Sequence, residues 1–93
     1  MEDSIRKAEV YKQYYSDPAF REPWDEVRAA FVKRWQTTDA GEHNVRENIY
    51  RYLSLMDKLD KFVGDVIASG EIEKAKLEAL IKFQNGPNPS AYN

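Results

Sequence analysis

The sequence predicts an all-α protein: a small helical bundle of three to four helices built on one long central helix, with an extended C-terminal tail. Two observations support this fold class. From Asn44 to Ser69, apolar residues recur every three or four positions, which keeps them on one face of a helix. Shorter stretches on either side show the same spacing, and proline, glycine and polar residues separate them from the central span. At 1.5 Å per residue the central helix would be on the order of 37 Å long, so its neighbours should pack along it.

Composition sets the limits of this fold. The 93 residues fit one helical domain, assigned to residues 1–84, and a tail over residues 85–93. A domain of this size has a small core, so association with a second copy would help to stabilise it. Charged residues make up 32% of the chain and the net charge is -2, so no strong field draws the protein to nucleic acid or to an anionic membrane.

The chain also lacks cysteine and any recognisable targeting segment. The absence of cysteine excludes disulfides and thiolate metal sites without deciding the compartment. There is no run of 18 apolar residues and no signal peptide, because acids stand near the start where a basic region and an apolar stretch would be needed. We therefore expect a soluble, intracellular protein without membrane contact.

The first helix is predicted over about residues 5–15, with Asp3 or Ser4 as its cap. Its tyrosines lie near one face. They either cover the edge of the bundle with their hydroxyls in water or form a recognition surface for another protein. Tyrosine is enriched in surfaces of the second kind. The candidate partner-binding residues are Tyr11, Tyr14 and Tyr15, together with Tyr92 of the tail.

The second helix follows an interruption at Asp17, which precedes a proline and is therefore pushed out of the α region. Asp17 is predicted to cap a short turn over residues 18–20, and Pro23 to occupy the first turn of a helix over about residues 24–37. The apolar residues of this helix form an aromatic stripe at helical spacing, which is more typical of a core than of a ligand cage. Its candidate core or self-association residues are Trp24, Phe31 and Trp35.

The start of the central helix has two possible registers. Asn44 with Glu47 and Asp39 with Glu42 each resemble a capping box, and we favour Asn44. The only histidine, His43, has no second ligand type at metal spacing, so it is interpreted as a loop or helix-start residue.

The central helix should present a charged face to solvent through two pairs of acid and base four residues apart, Glu47 with Arg51 and Asp57 with Lys61. Gly64 stands in the helix interior, where glycine is costly, so we expect a close helix crossing or a slight bend there. The candidate core or self-association residues of this helix are Leu53, Met56 and Val63.

Gly70 is suited to the left-handed position that ends a helix. A last helix is then predicted over about residues 72–83, folded back on the central one because the turn is short. In the proline-containing tail, free disorder and docking of Tyr92 on a neighbouring subunit are the two alternatives.

The motifs of catalysis are missing from this sequence. The four glycines are scattered singly, so no phosphate-binding loop exists, and no serine lies in a nucleophile elbow. We therefore predict a protein that is not an enzyme and has no catalytic residue, cofactor or metal site. The last helix has no arginine or asparagine placed to read bases, which disfavours DNA binding.

Between about Asp17 and Leu80 the chain resembles small helical proteins encoded among the head and packaging genes of tailed bacteriophages and prophages. Three features carry the resemblance: the end of the second helix at Trp35, Thr37 and Thr38, the pair Arg46 and Glu47 followed by Ile49 and Tyr50, and the break at Gly70 and Glu71. That family has no catalytic motif. The resemblance implies a phage or prophage origin, a location in the virion or the host cytoplasm, and a protein-binding or virion-assembly role.

Three functional hypotheses follow. The first is a homo-oligomeric phage protein that self-associates through its central helix and binds a virion component during assembly or packaging. The second is a phage-encoded inhibitor or regulator of a host protein. The third is an accessory of DNA packaging that binds DNA, with an affinity that falls steeply with salt.

Overall fold

The computed structural model describes residues 2–85, which form three α-helices and, within that range, no strand. Helix α1 runs over Glu2–Ser16, α2 over Pro18–Gln36 and α3 over His43–Asn85. The predicted all-α class with a long central helix is confirmed. Tyr92 and the rest of the predicted tail after Asn85 lie outside the described residues.

Helices α1 and α2 are separated by a single non-helical residue, Asp17. Its backbone is extended, and its carboxylate accepts a hydrogen bond from the Ala19 backbone nitrogen at 2.9 Å, so it caps α2. Pro18 is therefore the first residue of α2, and the separate short turn expected over residues 18–20 is wrong. Pro23 lies inside α2 and costs it one backbone hydrogen bond without ending it.

The loop before α3 shows which of the two capping registers is used. Glu42 donates its backbone N–H to the Asp39 carbonyl oxygen at 3.0 Å, and its carboxylate accepts the Asp39 backbone N–H at 3.1 Å. The Glu42 carbonyl then accepts the Arg46 N–H at 3.0 Å. The expected cap at Asn44 is wrong, because α3 begins at His43 and a turn closed by Asp39 and Glu42 precedes it.

Helix α3 continues through Gly70 to Asn85 without a break. The expected helix end at Gly70, and the separate last helix folding back over residues 72–83, are therefore wrong. Gly70 is buried against Ala8 of α1, so the missing side chain serves a close helix crossing and not a turn. The crossing expected at Gly64 does not occur there, since the space around its Cα is open.

Helices α1 and α2 lie one after the other along α3 and run antiparallel to it. Lys12 of α1 contacts Glu71 at 3.0 Å, whereas Arg34 near the end of α2 contacts Glu42 at 3.5 Å. The molecule is therefore a long helical hairpin whose first arm is broken at Asp17. Its radius of gyration of 21.6 Å is well above the roughly 12 Å of a compact chain of this length.

The core of this hairpin is one row of α3 residues, which we call the inner seam: Ile49, Met56, Val63 and Gly70. They are buried and stand seven residues apart. A strict seven-residue period is the repeat of a left-handed coiled coil, and it keeps the same face of α3 against α2 and then α1. Ala8 is the one buried residue of α1, and α2 has none within the described range.

Candidate functional site

A second apolar row lies beside the inner seam on α3 and is not covered by the hairpin. We call it the outer stripe: Tyr52, Leu55, Leu59 and Phe62, with exposed fractions of 50%, 66%, 40% and 54%. Steps of three, four and three residues keep the four side chains on one helix face. Large apolar side chains exposed in a continuous row are typical of an interaction surface.

Three residues of the outer stripe, Tyr52, Leu55 and Leu59, line one wall of an open groove of about 590 Å³, and α2 forms the other wall. We call it the α2–α3 groove. Phe62 lies beyond this groove, in a depression next to α1. On the α3 side the groove is lined by Tyr52, Leu55, Leu59 and the edge of Met56. On the α2 side it is lined by Ala19, Phe20, Pro23, Trp24, Val27 and Phe31. All of these side chains are apolar or aromatic, and none carries a charge.

Contacts between and within the helices hold the walls of the groove in place. The Phe31 and Tyr52 rings meet across α2 and α3 with centroids 5.3 Å apart, and the Phe20 and Trp24 rings stack at 5.5 Å. The Trp24 indole donates its N–H to the Asp60 carboxylate at 3.2 Å. The only polar atom of Trp24 is thus satisfied away from the groove, so the groove presents carbon and is already formed in the single chain.

The predicted tyrosine surface of α1 is divided between different environments. Tyr14 is 64% exposed, and Tyr11 is half-buried with the Lys7 ammonium 5.6 Å from its ring centroid. Tyr15 packs against Phe20 with ring centroids 4.8 Å apart. Burial, followed by the negative charge of Asp60, raises the pKa of Tyr15 above its ordinary value. Tyr15 therefore belongs to the junction between α1 and α2, next to one end of the groove.

Three of the residues predicted for the core or for self-association, Trp24, Phe31 and Met56, line the groove. Met56 and Val63 are buried in the inner seam, and Trp24, Phe31 and Leu53 are half-buried beside it. Trp35 lies apart from the groove: it is exposed.

The Arg46 side chain lies over the face of the Trp35 ring and partly covers it. The Arg46 guanidinium carbon lies 4.4 Å from the ring centroid, and its Nη1 donates to the Thr38 hydroxyl at 3.1 Å. This cluster fixes the loop that joins α2 to α3.

Sequence reasoning did not place Leu55 or Phe62 among the candidate self-association residues of the central helix, although they are the most exposed members of the outer stripe. The sequence nevertheless contains a signal for this second row. Adding them to the apolar positions of α3 widens the apolar face beyond the single stripe that one neighbouring helix covers. A helix with two adjacent apolar rows needs two neighbours, and the hairpin supplies one.

The long edges of the groove carry opposite charges. The α3 rim is basic, because Arg51 and Lys58 flank Leu55 in a shallow depression on its outer side. The α2 rim is acidic in its first half, where Glu22 and Glu26 each precede a groove residue by one position and are exposed, and it carries the exposed base Lys33 seven residues after Glu26. Arg51 is paired with Glu47 at 2.8 Å, as predicted. Glu22, Glu26 and Lys58 have no ion-pair partner within residues 2–85.

Two carboxylates on the other side of α3, Asp57 and Asp65, are paired with basic groups. Asp57 lies 2.5 Å from Arg28, so the expected pairing of Asp57 with Lys61 is wrong. Lys61 pairs instead with Asp65 at 2.8 Å, because the acid one turn further along is free to receive it. Within residues 2–85 there is no group of three or more acidic or histidine side chains that would hold a metal ion.

None of the three helices, over the part of the chain that the structure describes, has the length and apolarity needed to cross a membrane. No protein-family model matches this chain, and neither a curated protein nor a solved structure matches it.

Proposed function

We propose that this protein works without catalysis, by binding other protein chains through the α2–α3 groove during the assembly or packaging of a tailed-phage virion. The observation that supports the binding role is the groove itself: about 590 Å³ of preformed, open, uncharged surface on a rod-shaped molecule. Its occupant would lie in the virion or in the host cytoplasm. The resemblance of residues 17–80 to small helical proteins of head and packaging gene clusters supports the virion role.

The shape of the groove favours a helix as its occupant. It is bounded by two antiparallel helices and open on its third side, which is the place of a further helix in a bundle. Small polar substrates need convergent polar groups to orient them, and the wall residues supply none. An amphipathic helix needs only an apolar trough with polar edges, which is what α2 and α3 provide.

Virion association provides the test. Phage carrying the wild-type gene, a Leu55→Glu variant or a Val32→Glu variant would be purified, and the protein quantified in virions and assembly intermediates by mass spectrometry. Leu55 lines the groove and is 66% exposed, whereas Val32 is an apolar residue of α2 that is 36% exposed and does not line the groove. We expect the wild type and the Val32 variant to associate with virion components and the Leu55 variant to be lost from them.

The absence of wild-type protein from both virions and intermediates would contradict the assembly role. If the wild-type chain instead captured a host enzyme through the groove, the function would be that of a regulator of the host. Equal incorporation of the Leu55→Glu variant would show that the groove is not the binding surface.

A further inference from the structure

We propose that the occupant of the α2–α3 groove is a second copy of this chain, and that α3 of each copy lies on α2 of the other in a four-helix bundle. This inference rests on the proposed role of the groove in protein binding and names its partner. Three observations support it: the pattern of the outer stripe, the area that the face offers, and the opposite charges of the two rims.

The outer stripe has the pattern of a second coiled-coil seam. Tyr52 and Leu59 are seven residues apart, and so are Leu55 and Phe62, with the two sets offset by three. This is the spacing of the two apolar positions in a heptad, each of which inserts between residues of a facing helix. The inner seam already serves α1 and α2, so none of the helices within residues 2–85 is left to cover the outer stripe, and a second copy of the chain would supply one.

The face is large enough for a stable dimer. Val45 and Val66 continue the outer stripe at its two ends, and the 21 residue steps between them correspond to about 32 Å of helix. Two adjacent helices are about 20 Å wide, so the face formed by α2 and α3 of each copy has an area of roughly 640 Å². A dimer that covered both faces would bury about 1,300 Å² in total. Specific protein interfaces begin at about 1,200 Å². A self-complementary face of this kind closes as a two-fold dimer and leaves no open end.

Two arrangements of the pair are compatible with two-fold symmetry. An axis across the helices would place α3 on α3 and α2 on α2, with the basic α3 rims facing each other. An axis along the helices would place α3 on the partner's α2, so that the basic α3 rim meets the acidic half of the α2 rim. Both arrangements make every neighbouring pair of helices antiparallel, as in an up-and-down four-helix bundle, so helix direction does not distinguish them. The charge of Lys58, which is unpaired within residues 2–85 and would face an acid only in the second arrangement, selects the axis along the helices.

The register of the hairpin identifies the residues that meet. The contacts of Arg28 with Asp57 and of Trp24 with Asp60 place Lys58 level with the stretch 24–28 of α2. A two-fold axis parallel to the helices keeps each residue at the same height along the bundle in both copies. Lys58 therefore comes to lie beside the partner's Glu26. At the far end of the rims, Lys33 of α2 would approach Arg51 of the partner, whose charge is compensated by Glu47.

Apolar substitutions test whether the groove is the dimer interface. The mass of the full chain in solution would be measured by light scattering at micromolar concentration, with circular dichroism as the check of folding. We expect a dimer for the wild type and for Val32→Glu, and a helical monomer for Leu55→Glu and for Leu59→Glu. A monomeric wild type, or a Leu55→Glu protein that remains a dimer, would overturn the proposal.

Charge reversal tests the arrangement. Lys58→Glu and Glu26→Lys should each raise the dissociation constant of the dimer roughly tenfold at low salt, because each changes two symmetric attractions into repulsions. The double variant should restore the wild-type value to within about twofold. If the two effects simply add, α3 does not lie on the partner's α2 and the arrangement is overturned.

The outcome also separates this inference from the proposed function. If the wild type is a monomer but Leu55→Glu still loses virion association, the groove binds a different protein and only the second copy is disproved. If the wild type is a dimer that never associates with virion components, the dimer stands and the assembly role fails.

Discussion

Gly70 of α3 lies directly against Ala8 of α1, and both residues are buried. A methyl group on Gly70 would overlap the Ala8 Cβ and would lie 2.7 Å from the Ser4 carbonyl oxygen. The neighbouring atoms therefore include the backbone of α1, which cannot rotate away as a long side chain can. Glycine at this position sets how closely α1 approaches α3.

The first prediction concerns this crossing. In Gly70→Ala, the higher helix propensity of alanine would stabilise α3 by about 1 kcal/mol, but the overlap with α1 requires the two helices to move apart. Overpacking of this kind costs about 1–3 kcal/mol. We expect a net loss of stability in urea unfolding, with faster amide hydrogen exchange confined to α1. Exchange in α2 should remain close to that of the wild type.

Gly64 provides the matched control, because it lies in the same helix six residues earlier and a Cβ there meets no atom within 4 Å. Gly64→Ala should therefore raise the free energy of unfolding by about 0.5–1 kcal/mol. If the two alanine variants changed stability in the same direction and by the same amount, the close crossing at Gly70 would be disproved.

The same glycine shows where sequence reasoning reached its limit. A glycine after a long amphipathic stretch is the usual signal of a helix end, and Gly70 has no local feature that distinguishes a turn from a crossing. The deciding contact is with Ala8, which is 62 positions away in the sequence. The sequence shows the helical periodicity of α3 and the small residue Ala8 in α1. It does not show that Ala8 meets Gly70, because that contact depends on the antiparallel register of the folded hairpin.

The candidate site was predictable in part. The helical spacing around Met56 and Val63 identified the face of α3 that is buried, and the aromatic stripe of α2 identified one wall of the groove. The outer stripe was not identified as a separate surface. An apolar residue next to a buried row can lie in the core or line an open groove, depending on how many helices pack against α3. Here that number could not be known from the sequence, because it depended on whether α3 ended in a turn at Gly70.

The second prediction tests the hydrogen bond that fixes one wall of the groove. Trp24 donates to Asp60 at 3.2 Å, and Arg21 lies 3.7 Å from the same carboxylate. A hydrogen bond to a charged group contributes about 1.5–3 kcal/mol, less where water competes, so we expect a coupling energy of about 1–2 kcal/mol. A double-mutant cycle with Trp24→Phe and Asp60→Ala, measured by urea unfolding, gives this energy directly. Additivity within about 0.3–0.5 kcal/mol would mean that the two groups do not stabilise each other.

The third prediction concerns pH. Burial and the charge of Asp60 raise the pKa of Tyr15 above 10.0, so folding favours its neutral phenol. The unfolded chain ionises first as pH rises, so this contribution is complete below pH 10.0 and is lost as pH rises from there through the folded pKa. Relative to Tyr15→Phe, the wild type should therefore lose stability only as pH rises above about 10.

Ultraviolet titration of tyrosinate checks the assignment. The wild type has six tyrosines, and Tyr15 should contribute a component that ionises at a higher pH than an ordinary tyrosine. This late component should be missing from Tyr15→Phe and present in Tyr14→Phe, since Tyr14 is exposed. A late component that survives in Tyr15→Phe would assign the raised pKa to a different tyrosine.

The fourth prediction concerns the Arg46 guanidinium, which lies over the Trp35 ring and also binds the Thr38 hydroxyl. Cation–π contacts at exposed sites contribute about 0.5–1 kcal/mol, so Arg46→Met, which keeps most of the side-chain volume, should lower the free energy of unfolding by about that amount. In a Trp24→Phe background Trp35 is the only tryptophan, and its fluorescence should shift when the cation is removed. Arg51→Met is the control, because Arg51 pairs with Glu47 on the surface and should change stability by less than about 0.5 kcal/mol without altering the emission. Equal effects of the two substitutions would show that the Trp35 contact does not stabilise the loop between α2 and α3.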